Sequence, residues 1–341
     1  MDADDVTLVR PRERATLAIL VTWIAIGLAI DTRRHRTDRS LDTFFTSGHA
    51  VLYAGWVASA VFMLYLVRRR QATGLTRFAA VPQGFEGAVT GAVLFGFGGV
   101  GDMIWHGVFG IEVELKILFS PTHLVLMTAM LMLAFGPVRS SWLSKGRSTI
   151  TDLWPAILST GVIMSVLLVF FQYLSAFDRG VFTTEVPKLL GLEELIRVQA
   201  ISGVIVFTLL FFGPLLLLAR RFKLPPGAGT LAFAVPAVCN FIFTDFKVVR
   251  LSVAIVAGGV AVDAMLALTG RISAPRLSFR LSGALTPLAF WGTYLAVTLP
   301  GNSIEWPAEL WTGTVAWSML VGAAVTVTLL PPRDTPDSWT D

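Results

Sequence analysis

The chain has 341 residues, 54% hydrophobic and 15% charged, with mean hydropathy +0.70 and formal net charge +4. That balance excludes a water-soluble globular domain, which carries about 25% charged residues. The nominal pI of 9.5 does not imply a nucleic-acid partner, because the basic residues stand in short runs between apolar segments.

The lipid bilayer is therefore the expected solvent, and no soluble domain is left over. Apolar stretches of about 17–25 residues recur from end to end, each able to cross roughly 30 Å of hydrocarbon. In chain order the predicted spans are 15–35, 45–67, 86–107, 119–138, 152–175, 198–219, 228–245, 249–269, 281–299 and 309–330. The expected fold is an all-α, polytopic membrane bundle of about ten transmembrane helices. The first apolar run, Ala15 to Ile30, lacks a small-residue cleavage pattern after it and reads as a retained helix, not a signal peptide.

Four regions follow: a tail at 1–14, a four-helix repeat unit at 15–138, a six-helix scaffold at 139–330 and a tail at 331–341. Basic residues concentrate in alternate loops, at Arg68–Arg70 and Arg77, Arg139–Arg147, Arg220–Lys223 and Arg271–Arg280, which predicts both termini on the cytoplasmic side of the cell membrane. Arg33, Arg34, Arg36 and Arg39 break this rule by falling outside. Trp105, Trp306 and Trp311 are expected as interfacial anchors at outer span ends.

Glycines at Gly96–Gly101 and Gly258–Gly259 sit inside spans, where small residues let helices approach closely. The first group has no phosphate-loop lysine and follows no strand, so it does not bind nucleotide. Pro155, Pro214, Pro236 and Pro287 are expected kinks. The single Cys239 permits neither a disulfide framework nor a thiolate cluster.

The chemistry lies in a repeat within the first four spans. Asp31-Thr-Arg-Arg-His35 recurs as Asp102-Met-Ile-Trp-His106 at an offset of 71. Phe45-Thr-Ser-Gly-His49 recurs as Phe119-Ser-Pro-Thr-His123 at an offset of 74, which accounts for all 4 histidines. Residues at i and i+4 share a helical face, so each Asp and His can aim at one point. His49 and His123 start the return helices and fall at the same depth. Two imidazoles and a carboxylate suit copper, zinc or non-haem iron and leave coordination positions for water or another ligand. Six residues could meet in one dinuclear cluster or in two mononuclear centres. A hydrogen-bonded Asp–His relay without metal, and plain helix-end caps, are the alternatives. The arginines near Asp31 oppose a metal ion unless they turn away or pair with Asp38 and Asp42.

Asp-x3-His followed by a second histidine, with 13 and 16 residues intervening here, resembles the copper-site motif in the C subunit of the particulate methane and ammonia monooxygenases. The resemblance covers about 20 residues in each repeat, and this chain carries the motif twice. It implies that Asp31, His35, His49, Asp102, His106 and His123 bind copper or a similar metal; it implies nothing about substrate.

Elsewhere, Glu112, Glu114, Glu185, Glu193, Glu194, Glu305 and Glu309 crowd the outer loops, as solvated residues or as extra ligands. Pro187 to Val198 is expected as a short amphipathic interfacial helix. Asp245 with Lys247 and Arg250 reads as a local ion pair, and Asp263, two turns inside a span, as a functional or structural carboxylate. The expected function is a multi-pass membrane metalloprotein with an outer-face Asp/His/His site, oxygen- or redox-linked and monooxygenase-like if it is an enzyme. Copper is the first metal, with iron or zinc as alternatives and a redox or subunit partner implied. A metal-ion permease or a non-catalytic sensing or assembly subunit are the competing functions.

Overall fold

The computed structural model describes residues 9–38, 46–110, 115–144, 148–178, 181–182, 193–301 and 304–330. Among them the regular structure is helical, with no strand and ten long helices. These are α1 (Pro11–Thr37), α2 (Ser47–Gln71), α3 (Glu86–Phe109), α4 (Pro121–Leu143), α5 (Ile150–Phe170), α6 (Glu193–Arg221), α7 (Ala228–Phe243), α8 (Val249–Thr269), α9 (Pro275–Thr298) and α10 (Ala308–Leu329). One further turn, Leu115–Phe119, precedes α4. Eight of the ten are long and apolar enough to cross a bilayer, which fits a multi-pass membrane protein. The other two are α7, whose 16 residues cover about 24 Å, and α9, which carries Arg276 and Arg280 near its start.

α1 packs along α2, and α3 along α4; α1 also meets α4. Trp56 of α2 joins α3 by donating from Nε1 to the Ala92 carbonyl (2.8 Å) and stacking on Phe95. α1 further packs on α5 and α7, and α4 on α5, so these two helices join the first four to the rest of the bundle. α5 is the most enclosed span, while Ile19, Val61, Phe97, Val260 and Leu320 leave their apolar side chains facing outward, as lipid contact requires. A Cβ at Gly99 would lie 2.6 Å from the Tyr53 ring, and one at Gly259 2.9 Å from Phe233, so both glycine groups mark close approaches. Hydroxyls inside spans return to their own helix: Thr22, Thr160, Ser165 and Thr208 each donate to the carbonyl four residues earlier.

After α5 the chain turns inward. Phe177 is fully buried and lies flat between Phe211 and Trp291, at centroid distances of 5.6 Å to each. The Tyr294 hydroxyl donates to the Ala176 carbonyl (2.6 Å) and accepts from the Val181 N–H (3.1 Å). Asn240 Nδ2 donates to the Phe177 carbonyl (3.1 Å). The segment 171–178 is thereby pinned to α6, α7 and α9.

Two sequence expectations change, and the open reading of Asp263 falls on its structural side. Glu193 to Val198 continues into α6 and is not a separate surface helix, because the long helix supplies its backbone bonds; residues 187–192 lie outside the described residues. Trp306 is buried against Phe182 (5.4 Å) and is no interfacial anchor. Asp263 accepts from the Gly229 N–H (2.7 Å), the Thr230 N–H (2.9 Å) and the Thr230 hydroxyl (2.7 Å). It caps α7, whose N-cap Gly227 brings no side chain of its own. Asp263→Ala is expected to cost about 1–2 kcal/mol, read as a lower melting temperature in detergent with metal content unchanged.

Candidate metal centre

The two Asp/His/His groups are built alike. Asp31 and His35 are one turn apart near the end of α1, and Asp102 and His106 near the end of α3. The third member of each is the third residue of the next helix. Thr46 and Ser120 are N-caps whose hydroxyls accept from the His49 N–H (3.1 Å) and the His123 N–H (3.3 Å). Each cap fixes where its histidine stands relative to the preceding helix end.

In the first group His35 Nε2 and His49 Nε2 lie 3.6 and 3.4 Å from Asp31 Oδ2. In the second, His106 Nε2 is 3.5 Å from Asp102 Oδ2 and His123 Nε2 is 3.6 Å from Asp102 Oδ1. Within each group the donor atoms all lie within 4.8 Å of one another. The rings of His49 and His106 are 6.5 Å apart, so the groups are neighbours.

These separations are too long for N–H···O hydrogen bonds, which fall at about 2.7–3.2 Å. In the first group, where both run to one oxygen, they match the edge of a tetrahedron of ligands around an ion at about 2.0–2.2 Å, which is roughly 3.3–3.6 Å; in the second they run to the two oxygens of Asp102. His106 Nδ1–H donates to the Gly110 carbonyl (3.3 Å), a bond that orients the ring with Nε2 toward Asp102. Asp31 Oδ1 and Asp102 Oδ2 are buried without a hydrogen-bond partner among the described residues, a costly state for an anion unless an ion completes it.

The groups also differ in what supports the carboxylate. Thr122 Oγ1 donates to Asp102 Oδ1 (2.8 Å), whereas Gly48 stands at the equivalent position beside Asp31. Ser120 Oγ lies 2.5 Å from His123 Nδ1 and orients that ring. The Ser/Thr three residues before each second histidine was the signal for this support.

Among the described arginines, Arg33, Arg34 and Arg36 turn to partners other than Asp31. Arg33 Nε donates to Asp245 Oδ1 (2.7 Å) and its guanidinium covers the Phe246 ring at 4.8 Å. Arg36 donates to Asp178 (2.9 and 3.0 Å) and to Gln172 (3.1 Å), and Arg34 bonds Ser47. Asp42 and Arg39 lie outside the described residues. Lys247 and then Arg33 hold the Asp245 carboxyl below the usual carboxylate range, so this contact is fully charged at neutral pH. Asp245 and Phe246 both adopt positive φ (58° and 59°), a strained pair that Arg33 braces from both sides. Lys247 pairs with Asp245 as expected (3.0 Å), but Arg250 instead reaches the Pro300 carbonyl (2.8 Å).

A cavity of about 420 Å³ adjoins both groups, with Asp31, His35 and His123 in its wall. The described acidic loop residues do not join them: Glu194 pairs with Arg197 (3.0 Å), and Glu193, Glu305 and Glu309 are outside both groups; Glu112, Glu114 and Glu185 lie outside the described residues. No known family, curated protein or solved structure matches the chain. Fold and site together define a helical protein suited to a bilayer, with two Asp/His/His groups close enough to hold metal.

Proposed function

We propose that the protein is a multi-pass membrane metalloprotein that holds two transition-metal ions side by side at one end of its first four helices. The observation that carries this reading is the set of 3.4–3.6 Å gaps between buried carboxylate and imidazole atoms. Asp31, His35 and His49 would hold one ion, and Asp102, His106 and His123 the other. Copper comes first because of the motif resemblance, with iron or zinc as alternatives. A bound ion would supply Lewis acidity and, for copper or iron, redox capacity. Ten spans with both termini cytoplasmic follow from the basic loops at the far end of the bundle, where Glu13 pairs with Arg69 and Arg70. Arg33 and Arg36, which this orientation places outside, are each paired there, with Asp245 and Asp178.

A permease is less well supported, since the span-centre hydroxyls cited above are turned back onto their own helices. Elemental analysis of protein purified in detergent, beside a variant with His35, His49, His106 and His123 all changed to Ala, tests the proposal. About two equivalents of copper, iron or zinc, lost in the variant, is the expected result. No metal in either sample, and no uptake on addition, would leave an Asp–His network that is purely structural.

A further inference from the structure

The cavity beside the two groups has walls of one chemistry and a floor of another. Leu28, Leu115, Leu118, Val169 and Phe170 line its sides. Asp31 and His35 reach it from one group and His123 from the other, so a single occupant could address both ions. Arg36, Gln172 and Asp178 also line it, and the Arg36 guanidinium is spent on the other two through the bonds already described. These three therefore offer no unopposed charge to grip an acid or an amine, and the size, about 420 Å³, lies in the range of small-molecule sites.

We propose that this cavity is a binding site for an uncharged small molecule with an apolar body and one nitrogen or oxygen donor directed at the metal ions. The proposal rests on the metal reading above and adds the ligand class. The apolar body is sorted by the leucine and phenylalanine walls, and the donor takes a coordination position that three protein ligands leave to a fourth. Segment 171–178 forms part of the enclosure, and its anchor in α6, α7 and α9 gives the later helices a role in shaping this site.

The test loads the full-length protein with cobalt(II), whose visible spectrum reports its ligands, and titrates it with imidazole and with 4-phenylimidazole. The phenyl compound is expected to bind at least about tenfold more tightly, the change that burying one ring gives. Leu115→Trp, at a position half exposed and so tolerant of bulk, and Leu118→Trp are expected to remove that advantage while cobalt content and the imidazole response persist. Equal affinity for the two probes, or an advantage that survives both substitutions, overturns the cavity proposal and leaves the metal reading standing. Failure to bind cobalt overturns both, and the absence of any visible spectrum separates that outcome from the first.

Discussion

Gly48→Ala is expected to lower metal content from about two equivalents to about one, with the surviving ion in the Asp102 group. A Cβ at position 48 would lie 2.5 Å from Asp31 Oδ1 and 2.8 Å from Asp31 Cα. The side chain could rotate, but then its oxygens no longer face His35 and His49. The backbone cannot yield cheaply either, because one turn further into the same seam a Cβ at Gly27 would sit 2.7 Å from Leu52 Cα. α1 and α2 are therefore in near backbone contact where the ligand stands. At Gly101, next to Asp102, a Cβ would meet the Thr122 methyl at 3.5 Å, ordinary van der Waals distance. Gly101→Ala is the control for adding a methyl beside a group without a clash, and should keep both ions. Elemental analysis of the two variants decides the matter, and an undiminished content in Gly48→Ala would show that Asp31 is not a ligand. Overpacking of this kind costs on the order of 1–3 kcal/mol, so the melting temperature should fall as well.

Phe177→Ala is expected to be the most destabilising single truncation outside the metal groups, by about 3–5 kcal/mol. The ring is fully buried in a cluster with Phe207, Phe211, Phe290, Trp291 and Tyr294. Between helices already in lipid, packing of this kind replaces the hydrophobic effect as the main attraction, so a void there has nothing to offset it. Thermal unfolding in detergent should show a large drop, with Phe177→Leu in between. If metal content is unchanged while the 4-phenylimidazole advantage is lost, the segment shapes the cavity without holding the ions. A melting temperature equal to that of the unsubstituted protein would mean that the segment does not sit in the bundle as described.

The helices were legible because twenty or so apolar residues in a row admit few other structures, with eight of the ten long and apolar enough to cross a bilayer, and the Asp/His/His groups because all 4 histidines fall in one repeated pattern. Periodicity could not reveal partners that are remote in sequence. Arg33 meets Asp245 and Arg36 meets Asp178, pairings that close only when α1 lies beside α7 and the segment after α5. Gln172, Tyr173 and Asp178 belong to no motif, so the cavity they complete has no signature. The depth of Trp306 and the capping role of Asp263 were hidden for the same reason, since a residue type fixes what a side chain can do and packing fixes what it meets. The lighter clue that was available, a hydroxyl residue three before each return-helix histidine, marks helix starts in any protein; here it also sets the ligand's register.

The inward-turned segment after α5 has a consequence for how the chain divides. All six donor residues lie before residue 124, yet the segment that carries Gln172, Tyr173 and Asp178 is tethered by Tyr294 and Asn240. A protein cut after α4 would keep both Asp/His/His groups and lose that part of the enclosure, opening them to bulk solvent and, on the metal reading proposed above, to any chelator. The groups and their shelter thus belong to different stretches of the polypeptide, and a substitution in the last helices can change what reaches the groups without touching the residues that form them.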